Sequence, residues 1–212
     1  SKTLPMMEVM VSHFKPFFLG MLICIAGYVL FYIMIAFSQI YAKSAPIISE
    51  AGYVMGLGFS PQIFTALLMP SAVSLAITIT ISGKYIDKVG RRIWLIWTTV
   101  GVALFGLVLP YFLENGTTLS LFWFLIIGMG LIGMGYGPLA SFLPELFPTH
   151  ARYSGASLTY NIAGLFGASV AAIIALPLNA NYGLKGVGIY LTLNAVLSLI
   201  GLWFITETRD RQ

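Results

Sequence analysis

Ten consecutive residues concentrate the charge of this chain. Gly83-Lys84-Tyr85-Ile86-Asp87-Lys88-Val89-Gly90-Arg91-Arg92 holds four cations, one anion and two glycines. A second charged stretch follows downstream, Pro144-Glu145-Leu146-Phe147-Pro148-Thr149-His150-Ala151-Arg152. If the two lie at one level, Asp87, Arg91 and Arg92 can pair with Glu145 and Arg152, and with Glu207 on the tail, as a clamp closing one face. The plainer reading is a set of solvated charges, since exposed ion pairs contribute only about 0–1 kcal/mol.

Elsewhere the candidate groups are neutral. Tyr28, Tyr32, Ser38, Gln39, Gln62, Trp123, Tyr136, Tyr160, Asn161 and Asn194 fall within long apolar segments. Tyr28 and Tyr32 are four apart, which places them on one face of a helix. Interhelical hydrogen bonding and contact with a substrate weigh about equally for each of these groups, except that Trp123, near a segment end, reads as an interface anchor. All seven carboxylates and both histidines, His13 and His150, fall outside those segments. A proton relay through buried acids is therefore not expected. No HExxH pair and no Walker-type loop is present, and no histidine stands where it could activate a buried serine, so catalysis is not expected. Neither a cofactor nor a metal is expected. Cys24 is the sole cysteine and reads as a packing residue.

The elements that must position these groups follow from composition. The chain has 212 residues, 58% hydrophobic and 8% charged, against about 25% charged in soluble domains. Lipid must be its solvent. The net charge of +4 does not signal nucleic acid, because the cations sit in short loops. A span needs about 20 apolar residues. Six such helices are expected, at about 17–40, 61–82, 93–112, 119–142, 153–178 and 186–205. Pro70 lies inside the second and is expected to kink it. Ser60-Pro61 reads as an N-cap and first-turn proline. Gly83 and Gly90 are expected to break the helix at both ends of a tight turn, and Asn179 to Gly183 to form another. Glycines 128, 130, 133, 135 and 137 give the fourth helix a small face for close packing.

Three regions result: an interfacial segment 1–16 with an amphipathic helix, a six-helix transmembrane bundle 17–206, and a tail 207–212. Lys2, Lys15, Lys84, Lys88, Arg91, Arg92, Arg152, Arg209 and Arg211 fall on one side, against Lys43 and Lys185 on the other. That bias of nine to two predicts both termini in the cytoplasm. The first apolar run is too long for the core of a signal peptide, so no cleavable leader is expected.

The first charged stretch resembles the G-x-x-x-D-[RK]-x-G-[RK]-[RK] turn of the major facilitator superfamily. The second, with Tyr153-Ser154-Gly155, resembles the P-E-x-F-P-x-x-x-R-x-x-G turn between that fold's tenth and eleventh helices. Gly155-Ala156-Ser157-Leu158-Thr159-Tyr160-Asn161 and Glu207-Thr208-Arg209 are similar to its metabolite:H+ symporter branch. The resemblance implies an all-α membrane protein, one C-terminal half of a twelve-helix fold. Carried over, Gly83, Asp87, Gly90, Arg91, Arg92, Glu145 and Arg152 would be a cytoplasmic gate, and Tyr28, Tyr32, Tyr136, Tyr160 and Asn161 would line a substrate cavity. The implied activity is proton-coupled uptake of an osmolyte or organic acid by alternating access in a bacterial inner membrane. Its implied partners are the substrate, protons, lipid, and an N-terminal six-helix half or a second copy. The competing readings are an inactive truncated remnant and a six-helix channel or binding subunit.

Overall fold

The structure, a computed structural model, describes residues 5–206. Lys2 and the expected tail 207–212, with Glu207, Arg209 and Arg211, lie outside the described residues. A short helix, α1 (Pro5–Ser12), packs against the helices of the bundle and buries Val9. Five apolar segments then follow: α2 (Phe14–Lys43), α3 (Pro61–Val89), α4 (Arg91–Glu114), α5 (Thr118–Glu145) and the 53-residue Arg152–Phe204. The last is two helices. Gly183 has φ 69° and ψ −171°, a conformation open to glycine and closed to other residues, and the chain breaks there into α6 (152–182) and α7 (184–204). Six crossing helices result, as expected.

Most boundaries moved outward, and one expected break, at Gly83, is absent. α3 runs through Gly83 to Val89, so Gly83 is a helical residue and not a turn glycine. Its 29 residues span about 43 Å at a rise of about 1.5 Å each. That exceeds a hydrocarbon core of about 30 Å, so the charged turns of α3 project beyond it. One interior glycine costs about 1 kcal/mol, too little to end a helix whose next turn is anchored by buried Ile86. The break falls only at Gly90, with φ 102°. The expected turn from Asn179 to Gly183 narrows to its last residue: 179–182 remain helical and the chain breaks at Gly183. Pro70 sits within α3 without interrupting it. Ser60 caps α3 as expected, its Oγ accepting from the Ile63 N–H at 3.3 Å. A π segment at Ile33–Phe37 was not expected. There the Ser38 N–H bonds the Ile33 carbonyl, while its hydroxyl takes the Met34 carbonyl at 2.6 Å, the acceptor that an α-helix would have used.

Packing follows the small residues. Gly130, Gly133 and Gly137 of α5 face Ser74, Thr78 and Ser82 of α3, and a methyl group at Gly133 would stand 2.6 Å from the Leu75 carbonyl oxygen. Ser74 donates across that seam to the Ile126 carbonyl at 2.9 Å. Gly128 and Gly135, by contrast, face Met34 of α2 and Thr98 of α4. α4 and α7 cross at Gly106 and Gly188, beside a Thr192 hydroxyl bonded to the Ala103 carbonyl at 2.9 Å. Ser198 of α7 bonds the Leu22 carbonyl of α2 at 2.6 Å. These contacts let backbones approach where lipid gives no hydrophobic drive between helices.

Candidate functional site

Two regions carry the expected functional residues. The first is the end of the bundle where α3 meets α4 and α5 meets α6. Gly90 turns the chain there, its N–H bonding the Ile86 carbonyl at 2.9 Å. The turn sets Arg91 between two acids. Its guanidinium contacts Glu145 of α5 directly and lies 3.4 Å from Asp87 of α3. The Arg91 and Glu145 side chains are only 18% and 21% exposed, whereas Asp87 is 72% exposed. The Arg91–Glu145 contact is therefore a largely desolvated tie between helices, and Asp87 is a screened surface partner. Arg91 Nε and Glu145 Oε2 are buried with no protein partner.

The other two expected cations bond backbone carbonyls at this end. Arg92 Nε donates to the Leu202 carbonyl at 2.8 Å, and its terminal nitrogen to the Trp203 carbonyl at 3.1 Å. Arg92 thus ties α4 to the last carbonyls of α7, where a cation is favoured. Arg152 donates from Nε to the Phe147 carbonyl at 3.4 Å and holds the α5–α6 turn. Gly83, exposed and helical, contributes no turn. His13 and His150 come to a ring separation of 6.3 Å at this same end. Among the described residues, Lys15, Lys84, Lys88, Arg91, Arg92 and Arg152 belong to this end, and Lys43 and Lys185 to the opposite one.

The second region is a cavity of about 300 Å³ bounded by α2, α4, α5 and α6. Tyr28, Tyr136 and Tyr160 line it, with Cys24, Phe31, Leu95, Thr98 and Thr99 among its other walls. Tyr160 lies within electrostatic reach of Cys24, Tyr28 and Tyr136. The Tyr28 ring rests on Gly164 of α6, where an added methyl would stand 3.4 Å from it. None of the three tyrosine hydroxyls is bonded to another described residue, so the cavity presents free donors and no charge. Thr98 and Thr99 spend their hydroxyls on their own helix, at 3.0 and 2.7 Å to the Trp94 and Leu95 carbonyls.

Tyr32 and Asn161 do not line this cavity. Tyr32 packs against the larger hydrophobic core, one turn beyond Tyr28. Asn161 is exposed, and its amide donates to the Ser157 carbonyl at 2.7 Å. Adjacent helical residues point about 100° apart, so Tyr160 and Asn161 cannot both face inward. Cys24 and the α4 wall were not among the expected lining residues. The hydroxyl pair Thr98-Thr99 inside an apolar segment was the signal available for that wall.

The family described as sugar (and other) transporter matches residues 53–212. A putative metabolite transport protein of Haemophilus influenzae is 89% identical over 210 residues, covering 99% of this chain and 47% of that protein. The inner membrane metabolite transport protein YhjE of Escherichia coli is 37% identical over 209 residues, 98% of this chain and 46% of that protein. The glycine betaine/proline/ectoine/pipecolic acid transporter OusA of Dickeya dadantii is 25% identical over 206 residues, 96% and 38% respectively. The chain spans about half the length of the curated relatives it matches. No solved structure matches it.

Proposed function

The chain belongs to the major facilitator superfamily, among its metabolite transporters, and on that premise we propose that it acts as one six-helix half of a secondary transporter. The whole carrier would take up a small metabolite, an osmolyte or organic acid, by alternating access, in symport with protons and driven by their gradient. The observation that carries this reading is the pairing of the two regions. A neutral cavity lined by three tyrosines whose hydroxyls bond no other described residue lies among the helices, and a largely desolvated ion pair ties helices together at one end. The cavity would give the substrate hydrogen-bond partners near the midplane. The Arg91–Glu145–Asp87 cluster would be the gate that parts as that end opens.

In this reading the cation-rich end faces the cytoplasm of a bacterial inner membrane, and residues 1–16 lie along that surface. A second six-helix half supplies the opposite cavity wall. It also supplies the titratable groups for proton coupling, which these helices lack at mid-depth. The test is uptake of labelled osmolytes and carboxylates by proteoliposomes in which this chain is joined to a matching six-helix half. Uptake should follow an imposed pH gradient, and Asp87→Lys should abolish it while membrane insertion is kept. Normal uptake by Asp87→Lys would remove the gate from the account.

A further inference from the structure

Tyr28 reaches the inner cavity with no hydrogen bond to hold it. Its hydroxyl bonds no other described residue. Gly27 beside it faces open space, with nothing within 4 Å of an added methyl. The ring is therefore placed by packing alone, and what it packs on is α6. Tyr160, Gly164 and Gly167 follow one another at spacings of four and three, which puts them on one face of that helix. Tyr160 lines the cavity and lies within electrostatic reach of Tyr28. Gly164 lies under the Tyr28 ring, and Gly167 lies under its Cβ.

The two glycines are not equivalent. A methyl at Gly164 would stand 3.4 Å from the ring, an ordinary van der Waals contact. One at Gly167 would stand 2.6 Å from the Tyr28 Cβ and 3.2 Å from the Ile25 carbonyl oxygen. Neither atom can swing aside as the tip of a side chain would, so anything larger than glycine at 167 must push α2 and α6 apart. Gly167 is also the middle residue of a second π segment, Leu165–Ser169, and the one fully buried member of it. A π turn holds more residues than an α turn and swells the helix, and such turns recur at functional sites. Here the swollen turn meets α2 at the residue that has no side chain, under Tyr28.

We propose that Gly167 is a positioning residue: it sets where the Tyr28 hydroxyl stands in the cavity, and so how tightly the solute is held. This rests on the reading of that cavity as the carrier's binding site. Fluorine NMR of the chain in nanodiscs, with 3-fluorotyrosine at position 28, tests the seat without transport. Gly167→Ala should move the fluorine resonance by more than its linewidth. Gly201→Ala is the control, since a methyl there crowds the same helix, 3.0 Å from the Leu22 Cβ and 3.1 Å from the Leu19 carbonyl oxygen. It should leave the resonance in place. Gly164→Val pushes the ring and leaves the Gly167 contact intact. It should also move the resonance, and it decides the matter if Gly167→Ala does not fold. In the joined carrier, Gly167→Ala should raise the solute concentration for half-maximal uptake roughly fivefold and keep the maximal rate within about twofold. Tyr28→Phe removes the hydroxyl and keeps the ring. It should raise that concentration to a similar degree, and adding Gly167→Ala to it should raise it no further. A residue that only holds the helices together would lower the maximal rate instead, and its effect would add to that of Tyr28→Phe. A resonance unmoved by Gly167→Ala and Gly164→Val, one moved equally by Gly201→Ala, unchanged half-maximal uptake in an active Gly167→Ala carrier, or additive effects with Tyr28→Phe would each overturn the proposal. A joined carrier that takes up no solute would overturn the carrier reading instead, and the seat would stand or fall on the fluorine signal.

Discussion

The charged end and the inner cavity use opposite chemistries within one bundle. At the charged end, helices are joined by ions and carbonyls: Arg91 to Glu145, and Arg92 to the last carbonyls of α7. In the cavity the walls are aliphatic and aromatic, and the polar atoms are hydroxyls without charge. The difference follows from the cost of desolvation. An ion is tolerated where its partner sits on the neighbouring helix and water remains close. At mid-depth, the same ion would need a partner that these six helices do not provide. In the carrier proposed above, that contrast becomes a division of labour: the end would set whether the bundle is open and the cavity what fits.

Four single variants, and one double variant built on the first, would break or sharpen that contrast. The largest effect is expected from Arg91→Ala, which leaves Glu145 partly buried and unpaired. Complete burial would make this cost about 3–5 kcal/mol; with about a fifth of each side chain exposed, a loss of about 2–3 kcal/mol is expected in thermal or denaturant unfolding. Glu145→Gln in the same chain should recover part of it. Recovery of nothing would mean that the ions act separately. Tyr136→Leu comes next. It should leave the melting temperature in place, since Tyr136 is 63% exposed. In the joined carrier it should raise the substrate concentration for half-maximal uptake roughly tenfold, the equivalent of about 1.4 kcal/mol. A fall in stability without a change in that concentration would make the tyrosine a packing residue. Arg92→Gln removes two bonds to the end of α7 and should cost about 1 kcal/mol, seen as faster amide exchange in the last turn of α7. The smallest effect belongs to Thr98→Val, whose hydroxyl is already spent on Trp94. Its unfolding free energy should stay within about 0.5 kcal/mol of the parent, and half-maximal uptake within about twofold. A larger loss of uptake would bring the α4 wall into substrate contact.

What the sequence made legible was the part written in hydropathy and charge. Six apolar runs and a cation bias toward one end are properties of composition, and lipid enforces them residue by residue. Hydropathy does not report where a helix ends in water. Gly83 was expected to break α3, but its neighbours continue the hydrogen-bond ladder past the hydrocarbon boundary. Asn179 looked like a turn residue. It is fully buried within α6 and reaches the Val54 carbonyl at 3.4 Å, a contact made by a loop more than a hundred residues away. The charged cluster was legible as a group, but its geometry was not: Arg91 and Arg92 are adjacent in sequence, yet Arg91 reaches Glu145 on α5 while Arg92 reaches the last carbonyls of α7. For the cavity, residue type was enough to select Tyr28, Tyr136 and Tyr160. It could not separate them from Tyr32 and Asn161, because that choice rests on helix rotation and on the height of one turn.

The account rests on these six helices holding a neutral half-site and a latch, with the charges for coupling lying outside them. Proteoliposomes containing this chain alone, and proteoliposomes containing it joined to a complementary six-helix half, can be compared under an imposed pH gradient with one labelled solute that the joined carrier accepts. The account predicts gradient-driven accumulation with the joined halves and none above protein-free liposomes with the chain alone. Accumulation by the chain alone, driven by the gradient and saturating with solute, would contradict it.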